Sequence, residues 1–120
     1  MIIGVGIDGV NISRFNYYVT TIPRFLIRLF SPRELRLSHL QLAGNFAANE
    51  AFVKACPNRF LDLVSKVEFL RSSNGKPTVE LYGSDKLPVS IFNVHVSLTN
   101  LDNLVIAAIV IEQKDGVKEV

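Results

Sequence analysis

The chain has 120 residues, of which 48% are hydrophobic and 20% charged, with a formal net charge of +2. That is a globular composition for one domain spanning residues 1–120, and the small net charge gives no argument about partners. The one cysteine, Cys56, excludes an internal disulfide and a zinc cage, so a reducing compartment and a structural thiol are expected. The N-terminus has no basic segment followed by an apolar run and a cleavage site. No apolar stretch approaches the roughly 20 residues of a membrane span, so a soluble, cytoplasmic protein is expected. So much apolar side chain on a short chain also predicts a homo-oligomer.

Ile2 to Ile7 is β-branched and interrupted by Gly4 and Gly6, which predicts a buried strand with close backbone neighbours, ending at Asp8. Gly9 then permits a sharp turn, and Asn11 caps a helix from Ile12 toward Thr20. Pro23 opens a further helical turn through Phe30, with Arg24 and Arg28 on one face. Ser31-Pro32-Arg33-Glu34 reads as a capping box, predicting a long helix from there to about Ala55, with Pro57 as the stop. Val64 to Leu70 and Thr78 to Tyr82 read as a hairpin across Ser72-Ser-Asn-Gly75. Gly83 to Pro88 is a loop. Ile91 to Thr99 alternates, with Phe92, Val94, Val96 and Leu98 on one face and Asn93, His95, Ser97 and Thr99 on the other. After a turn at Asn100 to Asn103, the continuous apolar run Leu104 to Glu112 predicts a central strand, followed by a polar tail that frays.

Two acids stand in apolar surroundings: Asp8 after the first strand and Glu50 in the long helix. Together they suggest a site for a hard cation such as Mg²⁺, which one or two carboxylates suffice to hold. At 100° per residue, Ala43, Phe46, Ala47, Glu50 and Lys54 share one stripe. The alternative for Glu50 is a surface ion pair with Lys54 one turn on. His95 has an alternative as a structural hydrogen-bonder, and Asn74-Gly75-Lys76-Pro77 as a plain turn. Asp62, Glu68 and Asp85 read as solvated surface acids. Arg14, Arg24, Arg28, Arg33 and Arg36 crowd the first third, a basic surface suited to an acidic partner. The aromatics do not form a stacking platform for RNA.

Gly-Val-Gly-Ile-Asp8, Leu42-Ala-Gly-Asn-Phe-Ala-Ala-Asn-Glu50-Ala-Phe-Val-Lys54, Asn74-Gly-Lys-Pro77 and His95-Val-Ser97-Leu-Thr occur in this order. Over nearly its whole length the chain resembles the holo-acyl-carrier-protein synthases, the short bacterial 4′-phosphopantetheinyl transferases. The resemblance implies an α+β fold, a long helix packed on a small mainly antiparallel sheet, and a homotrimer with interfacial active sites. It implies transfer of 4′-phosphopantetheine from coenzyme A to a serine of acyl carrier protein, releasing adenosine 3′,5′-bisphosphate and supporting fatty acid biosynthesis. On the same ground, Asp8 and Glu50 would hold Mg²⁺ on the pyrophosphate, and Lys54 would serve the leaving phosphate. His95, Gly75, Lys76 and Pro77 would lie by the coenzyme, and Arg14, Arg24 and Arg28 would face the carrier's acidic helix.

The chain departs from the family pattern at several positions. Asn45 and Asn49 replace an arginine and a lysine near the coenzyme phosphates. Cys56-Pro-Asn-Arg59 replaces a glycine-rich loop, Asn100 replaces a histidine, and Gly9 and Asn11 replace an apolar residue and an acid. Arg59 or Lys66 are candidates to replace the lost cations. The alternative reading is a diverged homologue that binds acyl carrier protein but transfers slowly or not at all.

Overall fold

A computed structural model describes residues 1–82 and 91–115. The elements run β1 (Ile2–Asn11), α1 (Ile12–Thr21), α2 (Phe25–Leu29), a 3₁₀ turn (Glu34–Arg36), α3 (His39–Ala55), a kinked 3₁₀ segment (Asn58–Lys66), β2 (Val67–Arg71), β3 (Pro77–Leu81), β4 (Phe92–Leu101) and β5 (Leu104–Gln113). A three-stranded antiparallel sheet has the order β1-β5-β4, and β2 and β3 form a separate antiparallel pair. The α+β class and the central place of the apolar strand β5 both follow the sequence. The loop Gly83 to Pro88 and most of the tail lie outside the described residues. Among the described residues, no helix is long and apolar enough to cross a membrane.

The core lies between α3 and the sheet. Ala43, Ala47, Ala48, Ala51, Phe52 and Ala55 face Ala107, Ile109 and Ile111, all buried. Small residues on the helix let the backbones approach, and the approach is closest at β1. A Cβ added at Gly4 would stand 1.6 Å from the Ala55 carbonyl oxygen, and one at Gly6 would stand 1.9 Å from that of Ala51. Strand side chains alternate between faces. Val5 and Ile7 therefore point away from α3 and are 65% and 62% exposed.

Three element boundaries differ from the sequence expectation. Strand β1 does not end at Asp8: Asp8 pairs with Ala107 and Gly9 with Ile106, so no turn forms at Gly9 and the strand continues to Asn11. The capping box at Ser31 forms, with Ser31 N donating to Glu34 Oε1 and Glu34 N donating to Ser31 Oγ, each at 3.1 Å. Yet it starts only a short turn, because Leu37 is extended (φ −77°, ψ 160°). Ser38 opens α3 with a second capping box, reciprocated by Gln41. Likewise Val64 to Lys66 extend the 3₁₀ segment rather than the strand.

Aromatic packing fixes the first helices. Phe15 is buried and meets Phe25, Phe30 and Phe46 with ring centroids 5.8, 6.4 and 5.8 Å apart. Asn11 Oδ1 accepts from Arg14 N at 2.9 Å, the expected cap of α1. Asn103, in the β4–β5 turn, anchors the same end: its Oδ1 accepts from Ser13 N and Oγ, and its carbonyl from Ile12 N.

The glycine seam generates a stability prediction. Gly6→Ala must push the strand off the helix backbone, and overpacking of this kind costs about 1–3 kcal/mol, with the 1.9 Å approach placing this site at the upper end. Chemical denaturation of the variant checks this; a loss below about 1 kcal/mol would show that the seam is not tight.

Candidate functional site

Asp8 shares the face of Gly4 and Gly6, so the seam delivers it to α3. The strand and helix run in opposite directions here, Gly4 lying against Ala55 and Gly6 against Ala51. Asp8 lies one pleat further, toward the middle of the helix. Lys54 reaches it, because helical side chains lean toward the N-terminus. Its Nζ donates to Asp8 Oδ1 at 2.9 Å and to the Ile7 carbonyl at 3.1 Å. Lys54 thus pairs across to the strand rather than with Glu50 on its own helix.

Asp8 and Glu50 line one cleft of about 320 Å³, together with Asn11, Arg14, Tyr18 and Phe46. Asp8 is sheltered, its side chain 21% exposed, whereas Glu50 is exposed rather than buried with the apolar residues of its stripe. Glu50 also borders a second cleft of about 470 Å³ that contains Asn49 and Arg28. Asp8 keeps one carboxylate oxygen clear of Lys54. Among the described residues no group of three or more His, Cys, Asp or Glu converges on a metal position. The donor set is therefore two carboxylates without nitrogen or sulfur, which fits a hard cation that takes its other ligands from water and phosphate.

The remaining sequence candidates lie in other places on the protomer. His95 is exposed on β4, its Nε2 3.2 Å from Glu112 Oε1, in a cleft with Asn93, Val79 and Leu81. His95 and Asn93 together hold the Glu112 carboxyl below its usual range. Gly75 (φ 84°) occupies a tight turn that passes from Ser72 to Lys76, and it lines a further cleft with Pro77, Arg71 and Asn100. Lys76 is exposed beside that turn. Arg14, Arg24 and Arg28 are exposed on α1, α2 and the residue between them that turns the chain (Arg24, φ 60°). Cys56 is buried, its Sγ donates to the Phe60 carbonyl, and desolvation pushes its pKa up, as fits an inert thiol.

Glu68 departs from the sequence expectation. It is buried on β2, not a solvated surface acid. Ser31 Oγ and Tyr82 Oη donate to its two oxygens, and Arg33 lies 3.3 Å from one of them. Desolvation raises its pKa, but the hydroxyl donors and Arg33 outweigh it and hold the carboxyl below its ordinary value. Glu34 beside it behaves oppositely. Desolvation, reinforced by the charge of Glu68, raises its pKa against the donors Ser31 N, Phe69 N and Asn45 Nδ2. Asn45 is fully buried, donating to Glu34 Oε2 at 2.9 Å and to the Phe69 carbonyl at 2.8 Å. Its own Oδ1 has no partner. Asn45 thus faces inward, tying α3 to β2, and has become part of the core.

A two-layer α+β protein lines one cleft with two acids and an arginine, and bonds a lysine to one of those acids; fixed charges so arranged suit a phosphorylated substrate. Comparison with known proteins narrows this class. The profile of the 4′-phosphopantetheinyl transferase superfamily matches residues 4–109, and the chain belongs to that superfamily. It is 38% identical to the holo-[acyl-carrier-protein] synthase of Clostridium beijerinckii, over 93% of this chain and 98% of that one. It is 31% identical to that of Clostridium tetani, over 92% and 96%. Its fold is similar to the Mycobacterium tuberculosis acyl carrier protein synthase, with a TM-score of 0.72, 29% identity and coverage of 95% and 100%. It is also similar to the Bacillus anthracis holo-(acyl-carrier-protein) synthase in complex with CoA (3′,5′-ADP), with a TM-score of 0.70, 25% identity and coverage of 95% and 99%.

The buried acids generate a pH prediction. Glu34 has a folded pKa above its unfolded one, so its contribution to stability is fully present below the ordinary carboxyl pKa and is lost as pH rises through the raised value. Glu34→Gln removes that loss. The stability of the variant relative to wild type should therefore increase from pH 4 toward neutrality in denaturation curves; a difference independent of pH would refute the assignment.

Proposed function

We propose that this chain transfers the 4′-phosphopantetheine group of coenzyme A to a serine of acyl carrier protein, releasing adenosine 3′,5′-bisphosphate. The observation that carries the reading is the shared cleft of Asp8 and Glu50, with Lys54 bonded to Asp8, in a member of this superfamily. The relatives named as holo-[acyl-carrier-protein] synthases, matched over nearly the full chain, support the acceptor, and the Bacillus anthracis structure in complex with CoA supports the donor.

The serine oxygen of the carrier forms a bond to the phosphorus nearest pantetheine, and the bridging P–O bond breaks, its electron pair leaving with the adenosine bisphosphate. The nucleophile comes from the partner, so the chain needs to supply position and charge. Lys54, held by Asp8 and the Ile7 carbonyl, neutralises the leaving phosphate. Glu50, open to the cleft, takes the serine proton through a water. Asp8 and Glu50 would hold Mg²⁺, which when bound supplies charge neutralisation to the pyrophosphate.

Arg14 lines the same cleft as Asp8, and Arg24 and Arg28 continue the basic surface, with Tyr17 and Ile27 exposed among them at 62% and 61%. An acidic carrier helix docked there would bring its serine to the cleft, with complementary charge steering the encounter. The sheet face opposite α3 carries exposed Val5 and Ile7, which supports burial against further copies in a homotrimer. Such an assembly would let His95 and the Gly75-Lys76-Pro77 turn of one copy serve the Asp8 cleft of another, since they line separate clefts within one protomer.

Incubation with apo carrier protein, coenzyme A and Mg²⁺ tests the reading. Native mass spectrometry should show a trimer and a carrier heavier by one phosphopantetheine. Asp8→Ala should slow transfer by more than about 100-fold, the scale on which charge-stabilising groups act, while retaining carrier binding. Carrier binding by wild type without any mass gain would overturn the transferase reading and leave a carrier-binding homologue.

A further inference from the structure

Arg71 ends β2 and stands half-buried against α3. Its Nη1 donates to the Leu70 carbonyl at 3.0 Å and its Nη2 to the Gln41 carbonyl at 3.1 Å. A guanidinium carries five N–H donors and does not shed its charge in proteins. Among the described residues these two carbonyls are its only hydrogen-bond partners, and no carboxylate lies within ion-pair distance. The contrast with the ion-paired cations is plain: Lys54 has Asp8, and Arg33 has Glu68 and Glu80. Glu34 attracts Arg71 at longer range, but its oxygens are taken by Ser31, Asn45 and Phe69. Burial pulls the pKa of Arg71 down, as expected of a charge sheltered without a direct counter-ion. A sheltered charge of this kind is unfavourable until an anion meets it.

The space for that anion is present. Arg71 lines a cleft of about 220 Å³ with Gly75, Pro77 and Asn100, so an amide side chain and a tight turn face the same volume. The planar fork of a guanidinium matches phosphate oxygens in pairs. Coenzyme A carries two separate anionic groups, the pyrophosphate and the phosphate monoester on the ribose. On the transferase reading the cleft of Asp8 and Glu50, with Lys54 bonded to Asp8, takes the first, and Arg71 is the charged residue that lines the cleft of the Gly75 turn.

We propose that Arg71 binds the ribose phosphate of coenzyme A and sets the preference for the phosphorylated coenzyme. The inference rests on the transferase reading above. It also supplies a cation where Asn45 does not, since Asn45 is sealed in the core behind the same strand.

Transfer kinetics with coenzyme A and with 3′-dephospho-coenzyme A test it in the assembled protein. Arg71→Gln should raise the KM for coenzyme A by about 10- to 100-fold, the range of a lost charge-assisted hydrogen bond, with kcat little changed. The KM for the dephospho form should stay as in wild type. An equal rise for both coenzymes would mark Arg71 as merely structural, and no rise for either would also overturn the proposal. A calorimetric comparison of adenosine 3′,5′-bisphosphate with adenosine 5′-monophosphate separates this from failure of the transferase reading. Wild type should prefer the bisphosphate by about 10- to 100-fold even if transfer is absent, and binding without that preference overturns the proposal. If Arg71→Gln does not fold, Arg71→Lys keeps the charge and loses the fork; it should show an intermediate, coenzyme-selective loss, and equal losses would count against the site.

Discussion

The close approach of β1 to α3 governs this structure. Positions 4 and 6 have no room for a side chain, because helix carbonyls occupy the space a Cβ would need. The pleat does the rest. If alternate residues Gly4 and Gly6 touch the helix, Asp8 must face it too, and Val5 and Ile7 must face away. One constraint therefore sets the place of Asp8, its lysine partner and the apolar outer face of the sheet. Lys54 meets Asp8 because it follows on the same helix whose backbone the glycines admit.

Behind the seam, α3 is held from its other side by polar contacts. Asn45 ties it to Glu34 and to the Phe69 carbonyl, while Glu68 gathers Ser31 and Tyr82. Buried polar groups need partners, and a network of this kind fixes the rotation of the helix about its axis. That rotation decides that Glu50 and Asn49 look into the clefts while Asn45 looks inward. The acids of the network have opposed pKa shifts because one has a cation and two hydroxyl donors and the other has only neutral donors.

Much of this was legible in the sequence where the signal was local and periodic. The alternation of Phe92 to Thr99, the apolar run of β5 and the Asn11 cap all describe what the chain does within a few residues. Family resemblance named Asp8, Glu50 and Lys54, and the fold brings them to one place. What was hidden depends on distant partners. The capping signal at Ser31-Glu34 is real, but the Glu34 side chain also serves Asn45 and Phe69, and Ser38 starts the helix afresh. Glu68 reads as a surface acid because Ser31, Arg33 and Tyr82 are far away in sequence. Asn103, Arg71 and the inward turn of Asn45 leave no trace in any short window, since each is defined by a contact with another element.

The seam brings Asp8 to the cleft that Glu50 lines, and the proposed cation site requires both carboxylates to reach one ion there. The most direct measurement is Mn²⁺ affinity by electron paramagnetic resonance, with coenzyme A present, in Asp8→Asn, Glu50→Gln and the double variant. If both carboxylates hold one ion, each single change weakens binding and the double change costs clearly less than the two losses added. Strictly additive losses, or a single variant that binds as wild type does, would contradict the account.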